Sequence, residues 1–193
     1  MKYLTLCLPF LFITSISFAQ EISSTDKKVH KREEAHGELK HHRIALLWGH
    51  SYVPKGFNNN NSTKTLIIPT IGFEYEYWFS HRFAIGLSND LELQNYVIET
   101  REGDELEREY VYIGALMGFV EFAHLWVFGI GPGIEMEKNK NFGVLKMSIE
   151  REFPIVGKGG WDVTPMLSYE IKFRGEEKVY DAITFGFAIG KRF

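Results

Sequence analysis

The stretch TLIIPTIGFEYEYWF, residues 65–79, decides the fold. Ile67, Pro69, Ile71, Phe73, Tyr75, Tyr77 and Phe79 fall on one parity, and Thr70, Gly72, Glu74 and Glu76 on the other. A period of two is the signature of a strand, since successive side chains point to opposite faces. The next stretch, 83–97, repeats it. Phe83, Ile85, Leu87, Leu91, Leu93 and Val97 share one face; Ala84, Gly86, Ser88, Asp90, Glu92 and Gln94 share the other. Asn89 and Asn95 interrupt the apolar face.

Extended along the chain, the same pattern predicts eight strands, at 42–53, 65–79, 83–98, 109–122, 125–136, 142–153, 161–173 and 180–193. The fourth, EYVYIGALMGFVEF, is apolar on both faces and its register stays open. PKGFNNNNST, ETREGDELER, EKNKN and RGEEKVYD read as polar loops; SHR and the stretch around Ala123 and His124 read as tight turns, with PIVGKGG the longer member of that group. Polar loops at one end and short turns at the other describe an up-and-down meander.

An eight-stranded barrel of this kind has two possible solvents. A lipocalin-type barrel keeps its apolar face inside, whereas a membrane barrel keeps it outside. Side-chain volume decides. The polar faces combine glycines with charges, as in Gly129, Gly131, Gly133 and Glu135, or Gly186, Gly190 and Arg192. The apolar faces carry bulk, as in Trp126, Phe128, Ile130, Ile134 and Met136. That many large side chains would overpack a narrow interior. The bulky face therefore points outward, into lipid. Closure follows, because an unpaired backbone group costs several kcal/mol in hydrocarbon.

This orientation puts Arg43, Glu74, Glu76, Asp90, Glu92, Glu135, Lys146, Glu150, Glu152, Asp162, Glu170, Lys172, Arg174 and Arg192 in the lumen as a charge network. It also predicts two aromatic girdles. Phe79, Phe83, Trp126, Phe153, Trp161 and Phe193 form one; Tyr52, Tyr96, Tyr110, Phe142, Phe173 and Tyr180 form the other. Arg151 and Lys191 lie on the bulky face, close enough to a rim to snorkel.

Residues 1–19 have the form of a secretory signal peptide: Lys2, an apolar run, then Ser17 and Ala19 around Phe18. Cleavage is expected after Ala19, which removes Cys7, the chain's one cysteine, and with it any disulfide or thiol chemistry. Removing Lys2 leaves 21 basic against 25 acidic residues, a mild acidity that gives no footing for nucleic acid. Residues 20–41 read as a polar periplasmic linker before a barrel at 42–193. Its histidines, His30, His36 and His41, with His42 beyond them, lack a metal-ligand spacing, and no metal or other cofactor is expected.

A signal peptide, period-two strands and the terminal AITFGFAIGKRF resemble the small eight-stranded outer-membrane β-barrels of bacteria, the OmpA-like and OmpX-like group. The resemblance implies that Phe185, Phe187, Ile189 and Phe193 form a signal read by the barrel-assembly machinery; Lys191 departs from that pattern. It also implies contact with outer-membrane lipid. Three functions stay in view: a structural or surface-interaction barrel with a plugged lumen, a narrow cation-preferring pore, and a lipid-modifying enzyme. The first is preferred, because buried charges must pair and so fill the lumen. The third would use His50 beside Ser51 in GHSY, but adjacent strand residues point to opposite faces. No enzyme is expected.

Overall fold

A computed structural model describes residues 39–54, 65–99, 105–123, 125–138, 140–155, 157 and 159–193. The expected signal peptide, most of the linker with His30 and His36, and the asparagine run at 58–61 lie outside the described residues. Described residues contain strands and no helix: β1 (His42–Pro54), β2 (Thr65–Trp78), β3 (Phe83–Glu92), β4 (Tyr96–Glu99), β5 (Glu105–Arg108), β6 (Tyr112–Ala123), β7 (Trp126–Met136), β8 (Phe142–Arg151), β9 (Phe153–Pro154), β10 (Trp161–Arg174) and β11 (Glu177–Arg192).

The order β11-β1-β2-β3-β6-β7-β8-β10, with β10 pairing back to β11, makes a closed antiparallel eight-stranded barrel. The short β9 continues β8 past Glu152 and keeps its register against β10, with Met166 opposite Glu150 and Val163 opposite Phe153. The first and last strands close the wall through ten paired positions, from Arg43↔Arg192 to Tyr52↔Ile183. The start of β1 and the end of β11 thus share one rim, called here the near rim, where the His42 and Phe193 backbones bond each other. The turns β2–β3 and β6–β7 lie at the same rim.

Alternation is nearly unbroken. In β1, Arg43, Ala45, Leu47, Ser51 and Val53 face in, while Leu46 and Trp48 stand 64% and 63% exposed on the outer wall. Inner glycines let the wall bend tightly. A Cβ on Gly131 would sit 1.9 Å from the Leu116 carbonyl, so only glycine fits there. On the outer wall, Asn89 has both ends of its amide engaged. The Asn89 amide donates to the Phe73 carbonyl and accepts from the Tyr112 hydroxyl, whose ring lies across Gly114.

Two expectations about elements need correction, and a register left open is filled in. The predicted third strand, 83–98, ends at Glu92; Leu93–Asn95 break it, and β4 pairs with β5 in a separate two-stranded sheet. Tyr110, at φ 46°, then turns the chain into β6. RGEEKVYD is not a long loop: β10 runs to Arg174 and β11 begins at Glu177, with Gly175 at φ 64° in the turn. A glycine at positive φ is what a tight hairpin selects. Finally β6, ambiguous in sequence, turns Ile113, Ala115, Met117 and Phe119 inward, so part of the lumen lining is apolar.

Candidate functional site

The inner faces of the strands converge on a charged lumen. Close to the near rim, Arg43 is fully buried and sits among carboxylates. It pairs with Glu76, donates to both Asp162 oxygens (2.9 and 3.2 Å) and to the Thr164 hydroxyl at 3.1 Å, and lies 3.8 Å from Glu152. Arg192 closes this layer. Its Nη2 donates to both Glu152 oxygens at 2.7 and 2.8 Å, and its guanidinium lies 4.3 Å above the Trp78 ring. Trp78 is wholly buried and donates from Nε1 to Glu76 at 2.6 Å.

Deeper in the lumen, Lys146 pairs with Asp90, approaches Glu170 at 3.6 Å and donates to the Ser88 hydroxyl at 2.9 Å. Lys172 pairs with Glu170 and reaches Glu135 at 3.3 Å. Ser51 bridges Thr70 and Thr184, both at 2.8 Å, so hydroxyls from β1, β2 and β11 satisfy one another. Such pairing is the condition for charge inside a low-dielectric wall: each isolated ion would cost several kcal/mol.

Toward the far rim the lumen becomes apolar. Tyr96, Ile98 and Leu106 of the β4–β5 hairpin pack on Val53, Ile68, Val111, Ile113, Phe142, Val144, Tyr180 and Ala182. Beneath this layer, Tyr96 donates to Glu92 at 2.6 Å and Tyr180 to both Glu135 oxygens at 2.7 Å. Arg108 fastens the hairpin. It pairs with Glu135, donates to the Lys140 carbonyl at 2.9 Å, and lies 4.9 Å over the Phe142 ring. Burial works against the Arg108 charge, but Glu135 together with Tyr180, Tyr96 and Glu137 outweighs it and holds the guanidinium above its ordinary pKa.

Of the residues predicted for the lumen, Arg43, Glu74, Glu76, Asp90, Glu92, Glu135, Lys146, Glu150, Glu152, Asp162, Glu170 and Lys172 are buried. Arg192 is partly buried at the rim. Arg174 is a correction: it lies at the β10–β11 turn, beyond the apolar layer, and is exposed. Arg108 and Trp78 belong to the network although the sequence reading passed over both.

The near-rim girdle lies on the outer wall. Phe79, Phe83, Phe153, Trp161 and Phe193 are exposed and Trp126 is half-buried. The outward cations settle onto it: Arg151 over Trp126 and Phe153, at 5.2 and 4.9 Å, and Lys191 over Trp161 at 5.3 Å. The far-rim girdle is a correction. Tyr52 and Tyr110 are exposed and Phe173 half-buried, but Tyr96, Phe142 and Tyr180 point inward and are buried. Phe142 shares the parity of Lys146 and Glu150, and Tyr180 that of Ala182 and Gly186, so the pleat turns both rings into the lumen. Tyr96 keeps the parity of Asp90 and Glu92 across the irregular Leu93–Asn95, so it faces inward as they do.

His50 is exposed on the outer wall and Ser51 is buried inside it, so the two stand on opposite faces. His41 and His42 are structural. Their Nδ1 atoms lie 2.8 Å from the Trp78 carbonyl and 2.9 Å from the Tyr75 hydroxyl, and the His42 ring stacks on Phe193.

No protein-family model matches the sequence, and no curated protein sequence does. Solved structures do. Neisserial surface protein A aligns with a TM-score of 0.55 at 7% identity, over 79% of this chain and 97% of that one. The N-terminal β-barrel domain of Pseudomonas aeruginosa OprF aligns with 0.53 at 10% identity, over 80% and 98%. Ail, the attachment invasion locus protein of Yersinia pestis, in complex with the heparin analogue sucrose octasulfate, aligns with 0.51 at 10% identity, over 80% and 100%. In its closed wall, strand order and inside-out polarity, the chain has the fold of the small eight-stranded outer-membrane β-barrels.

Proposed function

We propose that this chain is an integral outer-membrane protein of the structural or surface-interaction type, with a lumen that does not conduct. The observation that carries the reading is the far-rim layer: the β4–β5 hairpin lays Tyr96, Ile98 and Leu106 over the barrel mouth. Below it, the lumen cations are tied to carboxylates within the wall. An apolar lid above paired charges leaves ions nothing with which to replace their hydration shells.

The outer wall supports the membrane assignment. Leu46, Trp48, Leu116 and Phe185 are among its most exposed side chains, and a patch of this kind around a whole barrel is tolerable only in lipid. The near rim then faces the periplasm and the β4–β5 hairpin the exterior. Phe185, Phe187, Ile189 and Phe193, on the outer face of the last strand, are the residues the assembly machinery would read. Two of the similar structures are a surface protein and an attachment protein, which favours a role at the cell exterior. The ligand chemistry differs from that of the Ail complex, however. The outward side of the hairpin carries Glu99, Glu105 and Glu107, which repel a polyanion such as sucrose octasulfate.

An excess of lumen acid keeps a cation pore as the second reading. Planar-bilayer recording separates the two. The purified protein should give no steady single-channel steps; steady cation-selective steps that vanish in Glu74→Ala or Glu92→Ala would establish the pore instead.

A further inference from the structure

Pairing in the lumen is uneven. At the near-rim half, Glu74, Glu76, Glu150, Glu152 and Asp162 face Arg43 and Arg192, which leaves an excess of three negative charges. Arg43 is spread over four of these acids, and its closest approach to Glu150 is only 4.0 Å. Among the described residues Glu74 makes no direct ion pair; Lys146, tied to Asp90, meets it only through the shared Ser88 hydroxyl. Glu74 Oε1 accepts from Ser88 at 3.0 Å, while Oε2 is buried with no hydrogen-bond partner, in a residue 2% exposed. A carboxylate oxygen held away from water without a donor is costly, and native interiors rarely leave one so.

That carboxylate stands in a group of three. One oxygen from each of Glu74, Glu76 and Glu150 lies within 4.8 Å of the others. Two ligands on opposite sides of a calcium ion, bound at about 2.3–2.6 Å each, lie about 4.6–5.2 Å apart at most. Separations of up to 4.8 Å fall within what one calcium ion can bridge. Fixed donors orient the carboxylates: Arg43 and Trp78 each bond one oxygen of Glu76, which keeps a further lone pair on each, and Ser148 donates to one oxygen of Glu150 at 2.9 Å. We propose that Glu74, Glu76 and Glu150 form an oxygen-donor site for a divalent cation of calcium's size, bound from the periplasmic side or during folding. Two positive charges there reduce the local excess from three to one and give Glu74 Oε2 a partner. The proposal does not depend on what the outer surface binds.

Trp78 provides a reporter, since its indole already touches Glu76. The full-length protein, refolded in detergent micelles and stripped with chelator, is titrated with terbium while tryptophan is excited. Thermal unfolding is followed with and without calcium. The wild type should show sensitised terbium emission and a calcium-dependent rise in unfolding temperature. Glu74→Gln should weaken terbium binding at least tenfold and abolish the rise, with Glu150→Gln as the second variant should the first fail to fold. Glu92→Gln, an acid held by Tyr96, should leave both signals in place. Trp78→Phe should lose the emission but keep the rise. Equal binding by wild type, Glu74→Gln and Glu150→Gln would place the cation elsewhere. Absence of both signals in the wild type would show that the carboxylates share protons instead. Either result overturns the proposal.

Discussion

Arg43 shows how much depends on single residues in this lumen. It is fully buried, and its guanidinium engages Glu76, Asp162 and Thr164 at once. Removing one partner of a buried network leaves the others uncompensated, at about 3–5 kcal/mol. Arg43→Met should therefore destabilise the barrel by about that amount, read as a lowered urea midpoint in micelles, whereas Arg174→Met, on the exposed turn, should change it by less than about 0.5 kcal/mol. A reverse substitution tests the outer wall. Leu46→Arg puts a cation among lipid-facing side chains, where the cost at mid-bilayer is about 2–4 kcal/mol. The same change made from Arg151 to leucine, at a rim where the cation rests over Trp126 and Phe153, should be far smaller in effect. Parity made most lumen charges legible in the sequence. The misplaced rings Phe142 and Tyr180 were assigned by nearness to a rim, although their parity with Lys146 and Gly186 already turned them inward. Trp78 was legible by the same argument, being on the parity of Glu74 and Glu76.

At the scale of elements, the β4–β5 hairpin is the device that distinguishes this barrel from a bare cylinder. Tyr96, Ile98 and Leu106 give it an apolar underside, and Arg108 ties it to Glu135. Replacing residues 95–109 by a short Gly-Ser linker should keep the barrel strands paired, with little change in the β-sheet circular dichroism, but uncover the lumen. Planar-bilayer recordings of that variant should show current bursts absent from the wild type. Unchanged silence would mean that the charge network alone seals the barrel. This hairpin was the least legible element. ETREGDELER reads as a polar loop because half of each short strand faces water, and β3 and β4 read as one strand because the period of two survives the break at Leu93–Asn95. The two-faced β6 was unreadable for another reason. Its inner residues Ala115, Met117 and Phe119 pack with Trp78 and Val127, and Ile113 packs in the far-rim layer, so no charge marks the lumen side.

The whole molecule rests on one inversion: bulk and apolar side chains outside, charge and glycine within. Register at the closing seam expresses it, since β1 and β11 bring Leu47 opposite Ala188 inside and Trp48 opposite Phe187 outside. The most direct test is a cysteine series along β11 in a Cys7→Ser background, each site carrying a nitroxide label, in lipid vesicles. The measurement is label collision with oxygen, which partitions into the acyl chains, against a water-soluble nickel complex. Sites 183, 185, 187 and 189 should be open to oxygen and closed to nickel, while 184 and 188 are shielded from oxygen. Oxygen accessibility at 184 and 188 with shielding at 185 and 187, or a protein that stays monodisperse without detergent or lipid, would contradict the account.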